Sequence, residues 1–219
     1  MLTTGVYSAD RAAALSGVPK STIHYWARTG VLLPSVSPEK VRLWSFADLM
    51  GLRIISWLRR GKTTKDGVEV AASTMPAVRR ALAALDALEL SVWTPGEGSP
   101  VVVSGDGAVY IQGPTGLEHV SGQIADRDLL QPIAPFDLDG LRGPDLVRPR
   151  PTLRIIPGKL GGSPHVADTR VETRALASLR QDGMSVVRIA ALYPHLTDEQ
   201  IAEAIDLEDQ LKWNMLRAA

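Results

Sequence analysis

A chain of 219 residues can hold one large domain or two small ones. With 45% hydrophobic and 22% charged residues it has an ordinary globular composition, and the absence of cysteine excludes disulfides, thiol catalysis and cysteine-ligated metals. The formal net charge of zero hides a strong asymmetry. Residues 1–65 carry ten Lys or Arg against three acids, whereas residues 198–219 carry six acids against two bases. A basic front suits phosphate, because each phosphate neutralised by Lys or Arg releases counterions, and an acidic tail does not. No apolar run approaches the roughly 20 residues of a membrane helix. The stretch Met1 to Asp10 lacks the basic-then-apolar pattern of a signal peptide. The expectation is a cytoplasmic protein without membrane contact.

In chain order, Ser8 before Ala9-Asp10-Arg11-Ala12-Ala13-Ala14-Leu15 predicts an N-capped helix, since its hydroxyl can accept an unpaired first-turn amide. Ser16-Gly17-Val18 is a tight turn in which Gly17 suits a positive φ. Pro19 opens a second helix to Thr29, ended by Gly30. Ile23 and Trp26 or Ala27 share its inner face, and Lys20, Ser21, His24, Tyr25 and Arg28 point mostly outward. Two short helices about a glycine turn, the second studded with donors, make a helix-turn-helix whose second helix enters a major groove. Val31-Leu32-Leu33 and Val41-Arg42-Leu43-Trp44, joined by a polar turn, predict a two-stranded wing. Ser45-Phe46-Ala47-Asp48 then starts an amphipathic helix through Arg60, with Leu49, Leu52, Ile55 and Leu58 on its apolar stripe. Trp26 and Trp44 are read as core anchors. Arg53 and Arg59 stay open between DNA contact and a solvated face.

The ordered set Ala14-Leu15-Ser16-Gly17-Val18, Thr22-Ile23-His24-Tyr25-Trp26, Gly30-Val31-Leu32, Val41-Arg42-Leu43-Trp44 and Asp48-Leu49-Met50 resembles the MerR-type winged-helix family. The resemblance implies that Tyr25 and Arg42 meet phosphates and that Lys20, Ser21 and Thr22 lie near base edges. His24, Arg28 and Lys40 complete the candidate DNA-binding set. His24 stands where the family usually has arginine, and without a metal-ligand partner nearby it is read as a polar surface contact.

Thr74-Met75-Pro76 caps a short helix to about Leu88. Glu89 to Thr94, Val101 to Ser104 and Ala108 to Gln112 are β-prone runs, and Ser104-Gly105-Asp106-Gly107 is a hairpin signal, so a small antiparallel sheet is expected. Asp106 lacks the further ligands of a calcium loop. Gly158 to Ser163 lacks the spacing of a phosphate loop and is read as a turn. Residues 113–151, rich in Pro, Gly and Asp, read as a linker that packs or orders on a partner.

From Ser163 to Val171 the text predicts a short strand and turn, followed by a helix from about Thr173 to Asp182 stopped by Gly183, and a second, capped by Ser185, from Val186 to Leu192. Thr197-Asp198-Glu199-Gln200 is a capping box opening a third helix towards Leu216. Its stripe is Ile201, Ala204, Ile205, Glu208 and Leu211 or Lys212. Asp198, Glu199, Glu203, Asp206, Glu208 and Asp209 would repel phosphate, so this helix is assigned to dimerisation or protein contact. The pairs His165 with Asp168 and His195 with Asp198 lack a third group or a nucleophile and are read as cap and turn residues. The segments Gly162-Ser163-Pro164-His165-Val166, Asp168-Thr169-Arg170-Val171, Asp182-Gly183-Met184-Ser185 and Tyr193-Pro194-His195-Leu196-Thr197 resemble the homeodomain-like module of VapB-type antitoxins. That resemblance implies a PIN-like ribonuclease toxin as partner, a nuclease whose clustered carboxylates hold magnesium.

The expected fold is α+β, mainly α. It divides into a winged helix-turn-helix at 1–73, a connecting helix, small sheet and linker at 74–151, and a three-helix module at 152–219. The expected function is that of an antitoxin which inhibits its toxin and represses its own operon as a homodimer on operator DNA. The alternative is an effector-responsive regulator with a pocket in the β-rich middle. Arg142, Arg148, Arg150, Arg154, Arg170 and Arg174 are candidate toxin contacts, because a guanidinium placed among carboxylates can displace a metal. No catalytic residue, metal site or cofactor is expected.

Overall fold

The computed structural model describes residues 5–63, 69–88, 100–104, 106–113, 116–119, 136–138 and 141–217. It is α+β and mainly helical, with short antiparallel strand pairs. Two compact units are present: one joins residues 1–49 to residues 133–219, and the other spans residues 50–132.

In the first unit, β1 (Tyr7–Ser8) leads into α1 (Ala9–Ser16), where the Ser8 hydroxyl accepts from Arg11 N. Gly17, at φ 71, closes the helix and hands the chain to α2 (Lys20–Arg28). Pro19 sits at the cap of α2, one position before its first helical residue. Ile23, Trp26 and Ala27 are buried, and Trp44 is fully so. The wing departs from expectation. Residues 31–33 form no strand, and β2 (Leu43–Trp44) pairs antiparallel with β1, Tyr7 opposite Trp44. The reason is local: Val31 N is already donated to Trp26 O in the turn after α2, and Pro34 has no N–H to offer a ladder. Only Ser37 bridges to Leu43 from that side, by a reciprocal pair of bonds.

Helix α3 (Phe46–Leu58) starts at Ser45, whose amide donates to Asp48 Oδ2 (2.7 Å) while Asp48 N donates to Ser45 Oγ (3.1 Å). This is a capping box. Its expected stripe of Leu49, Leu52, Ile55 and Leu58 is buried, as are Ile54 and Arg53.

The second unit continues with β3 (Lys62–Thr63) paired antiparallel to β4 (Glu69–Val70). Helix α4 (Met75–Ala87) is capped by Thr74, and it buries Val78, Ala81 and Leu85. A three-stranded antiparallel sheet follows: β5 (Val101–Val103), β6 (Val109–Gly113) and β7 (Gly116–His119) in that order. The expected hairpin turn is present, with Gly107 at φ 82 donating to Ser104 O. The strand expected over Glu89 to Thr94 lies outside the described residues.

The chain then re-enters the first unit. Within the span expected to be a linker, β8 (Phe136–Leu138) and β9 (Leu141–Gly143) form an antiparallel pair. Asp145 Oδ1 accepts from the amides of Val147 and Arg148, and Leu146 is fully buried. One buried leucine and a side-chain-stapled turn anchor residues 145–148. Next, β10 (Leu153–Arg154) pairs antiparallel with β11 (His165–Val166). Helices α5 (Thr173–Gln181), α6 (Val186–Leu192) and α7 (Asp198–Arg217) complete the unit. Ser185 caps α6, and the capping box of α7 is made in both directions, Thr197 N to Gln200 Oε1 and Gln200 N to Thr197 Oγ1.

The inner face of α7 is Ile201, Ala204, Leu207, Glu208, Leu211 and Asn214, all buried, whereas Lys212 points out. Helix α7 packs on both α5 and α1. One polar contact crosses between α7 and α1, and two more tie the start of the chain to the turn at 161–162. Asn214 Nδ2 donates to Ala14 O (3.1 Å), Val6 N donates to Gly161 O (2.7 Å), and the buried Tyr7 hydroxyl donates to Gly162 O (2.9 Å). A Cβ on Gly162, which has φ 83, would lie 2.1 Å from Tyr7 Oη, so the close approach needs glycine. Burial pushes the Tyr7 phenol far above its usual range, so it stays a donor.

Candidate nucleic-acid interface

The outer face of α2 collects the sequence-predicted donors. Lys20, Ser21, Tyr25 and Arg28 are exposed, and Thr22 and His24 are half-buried. Tyr25, at 51% exposure, is a large aromatic on the surface rather than in the core. The Arg28 guanidinium lies 5.8 Å from its ring centroid, a cation–π pair that holds charge beside a phenol. Lys20 reaches Asp10 at 2.8 Å, an exposed ion pair that partly neutralises it.

Arg42, next to β2, places Nη1 3.3 Å from His24 Nδ1 and 3.5 Å from His24 O. Burial pushes His24 below the usual histidine range, and the nearby charges of Arg42 and Lys20 push the same way. A neutral imidazole accepting from a guanidinium is the consistent tautomer, with the proton on Nε2. The positive charge of this pair therefore resides on Arg42. Lys40 is exposed in the loop leading to β2.

That loop is tied down by Asp48. Its Oδ2 accepts from Ser35 N (2.9 Å), Ser35 Oγ (2.9 Å) and Ser45 N (2.7 Å), and Ser35 Oγ also lies 2.8 Å from Ser45 Oγ. Asp48 is 7% exposed, so alanine there strands the buried Ser45 amide and the part-buried donors of Ser35. Asp48→Ala is expected to destabilise the protein by about 2 kcal/mol, read as a lower urea midpoint at unchanged slope. A shift under about 0.5 kcal/mol would show that the loop is held by other means.

The candidate toxin contacts separate into two groups. Arg150 is committed to Asp206 (2.7 Å) and Gln210, and Arg154 donates to the carbonyls of Pro151 and Leu153. Arg148, Arg170 and Arg174 are exposed, and the last two border one open groove with Tyr193. Arg142 lies in β9, and its side chain is outside the described residues.

His165 is a core residue: it is fully buried, and its Nδ1 lies 3.0 Å from Ser163 O. Its Nε2 and Trp44 Nε1 are buried without a hydrogen-bond partner among the described residues. His195 packs edge-on against Tyr193. Among the described residues no cluster of three or more His, Asp or Glu is placed to hold a metal, and no helix is long and apolar enough to cross a membrane.

One feature of the first unit has no counterpart in the sequence-level site. Arg11 donates from both terminal nitrogens to Glu208, each at 2.7 Å, joining α1 to α7 across 197 positions. Thr173 Oγ1 donates to the same carboxylate. Burial alone would raise the Glu208 carboxyl, but the hydrogen bonds and charge of Arg11, helped by Thr173 and Arg174, outweigh it and hold it below the ordinary range. The available signal was a glutamate on an otherwise apolar stripe, since a carboxylate in that position needs a partner.

Residues 7–73 match the family described as MerR HTH family regulatory protein, and residues 154–206 match a protein family of unknown function, DUF433. No curated protein and no solved structure matches the chain. The chain therefore carries a MerR-type helix-turn-helix domain at its N-terminus and a DUF433 domain at its C-terminus. The first of these indicates DNA-binding regulation.

Proposed function

We propose that this chain is an antitoxin that represses its own operon. Residues 1–73 would dock on operator DNA as half of a two-fold dimer, because a symmetric protein matches a palindromic site. Residues 152–219 would hold the ribonuclease, and residues 74–151 would connect the two. The observation that carries the DNA half is the single face on which Lys20, Ser21, Tyr25, Arg28 and the His24–Arg42 pair converge. In this reading α2 lies in the major groove and Arg42 and Lys40 sit on the flanking backbone.

The antitoxin half rests on the resemblance of the C-terminal module and on its spare guanidinium groups. Arg148, Arg170 and Arg174 are exposed, whereas Arg150 and Arg154 are engaged within the chain, so the first three are the better candidates to reach a partner's carboxylates. Three of the six acids of α7 are engaged within the chain: Glu203 accepts from Thr152, Asp206 pairs with Arg150, and the inward-facing Glu208 pairs with Arg11.

Two measurements test the proposal separately. A gel shift with the DNA upstream of the chain's own reading frame is expected to show retardation at low salt that fades as salt rises. Co-expression with the adjacent gene product is expected to yield a stable complex that suppresses ribonuclease activity. No retardation, even with the partner supplied, removes the DNA half. No complex removes the antitoxin half and leaves a DNA-binding regulator.

A further inference from the structure

Helices α1, α5 and α7 border a groove of about 430 Å³ in the first unit. That volume lies within the range of small-molecule sites, which are preformed hollows with a few convergent polar groups. Five charged residues line it, and they do not cancel. Asp10 is paired to Lys20, and Arg11 is paired to Glu208. Arg174 and Lys212 remain, both exposed, and neither makes a hydrogen bond or an ion pair among the described residues.

The placement of these two cations follows from helix geometry. Lys212 lies one turn after Glu208 on α7, and on α5 Ser178 and Gln181 follow Arg174 by one and two turns, so each helix presents its polar groups along one line. Ser178 and Gln181 both line the groove and add neutral donors beside the charges. Ala177 and Met215 contribute a short apolar wall. Two exposed cations without an ion-pair partner among the described residues, of which Arg174 also acts on Glu208 through its charge, two neutral donors and a small apolar patch select a compact anion with a carbon body. A metal ion is repelled, and a long apolar ligand finds too little wall.

We propose that this groove is a binding site for a small organic oxyanion, a carboxylate or a phosphate ester, held by Arg174 and Lys212. The guanidinium of Arg174 suits two-point binding to either group, and the ammonium of Lys212 acts as a point charge. Asp10 at its border pairs with Lys20 on α2, and neither DNA binding nor a protein partner is needed for the site. The Arg11–Glu208 fork that joins α1 to α7 is part of its lining.

The test is calorimetric titration of the full chain, without DNA or partner, in low-salt buffer. The probes are succinate, glycerol 3-phosphate and inorganic phosphate. At least one organic probe is expected to bind with a dissociation constant below about 1 mM. The Arg174→Ala/Lys212→Ala variant is expected to weaken that binding by about tenfold or more, and both positions are exposed, so its unfolding midpoint should match the parent. The carboxylate and phosphate probes distinguish the two ligand sources. The proposal is overturned if neither organic probe binds at up to about 10 mM, if the double variant binds as the parent does, or if inorganic phosphate binds as tightly as the better organic probe.

Discussion

Replacing Arg28 and Arg42 together with alanine is expected to weaken binding to the upstream DNA by about 100-fold at moderate salt. It is also expected to lower the slope of log affinity against log salt by about 2. Each residue is assigned one phosphate, and each phosphate contact contributes roughly one counterion to the slope. The two arginines approach the surface from different elements. Arg28 is held over the Tyr25 ring from the last turn of α2, and Arg42 is held against His24 from the approach to β2. Because neither is buried, their loss should leave the unfolding midpoint within about 0.5 kcal/mol of the parent, so weaker binding cannot be blamed on unfolding. Lys20→Ala should have a smaller effect, since Asp10 already neutralises part of that charge. Anisotropy titrations at several salt concentrations measure all of this. An unchanged slope in the double variant would place the phosphate contacts elsewhere on the chain.

What was legible in the sequence is what is decided within one helical turn. Ser8, Thr74 and Ser185 each cap the helix that follows them, and Thr197 with Gln200 makes its capping box in both directions. The stripe of Leu49, Leu52, Ile55 and Leu58 is buried as its three-residue spacing implies. The donors on α2 face outward because Ile23, Trp26 and Ala27 occupy the opposite face. Pairing between distant segments was not legible. A two-residue strand carries no periodicity, so nothing near Leu43 indicated that its partner would be Ser8 instead of the nearer Val31 to Leu33. Residues 136–151 have a turn-rich composition, yet Leu146 and the Asp145 turn anchor part of them, a consequence of one burial event that composition does not record. For the same reason Arg11 read as part of a basic front and Glu208 as part of an acidic tail. The opposite charges of the two ends were visible, but not that these two residues of that contrast meet inside the protein.

That meeting gives the second large expected effect. Arg11→Ala is expected to destabilise the first unit by about 3 kcal/mol at neutral pH, because it leaves a carboxylate that is 9% exposed without its fork of donors. The value sits at the low end for a broken buried pair, since Arg11 itself is partly exposed and Thr173 still donates to Glu208. Glu208→Ala should cost less, about 2 kcal/mol, as the stranded Arg11 can turn its guanidinium to water. The pH dependence separates this explanation from simple loss of packing. In the parent protein the folded-state pKa of Glu208 is depressed below its ordinary 4.5, so its contribution is fully present above that value and is lost as pH falls through the folded value. Without Arg11, burial acts with less opposition and protonation of Glu208 relieves the unpaired charge. The stability gap between parent and Arg11→Ala should therefore narrow as the pH drops below about 4.5, whereas a packing defect would keep the gap constant. Urea unfolding of both proteins at pH 7 and near pH 4 makes the comparison. A gap under about 1 kcal/mol at pH 7, or one that does not shrink in acid, would mean that α1 and α7 are held by Asn214 and their apolar seam, and not by the ion pair.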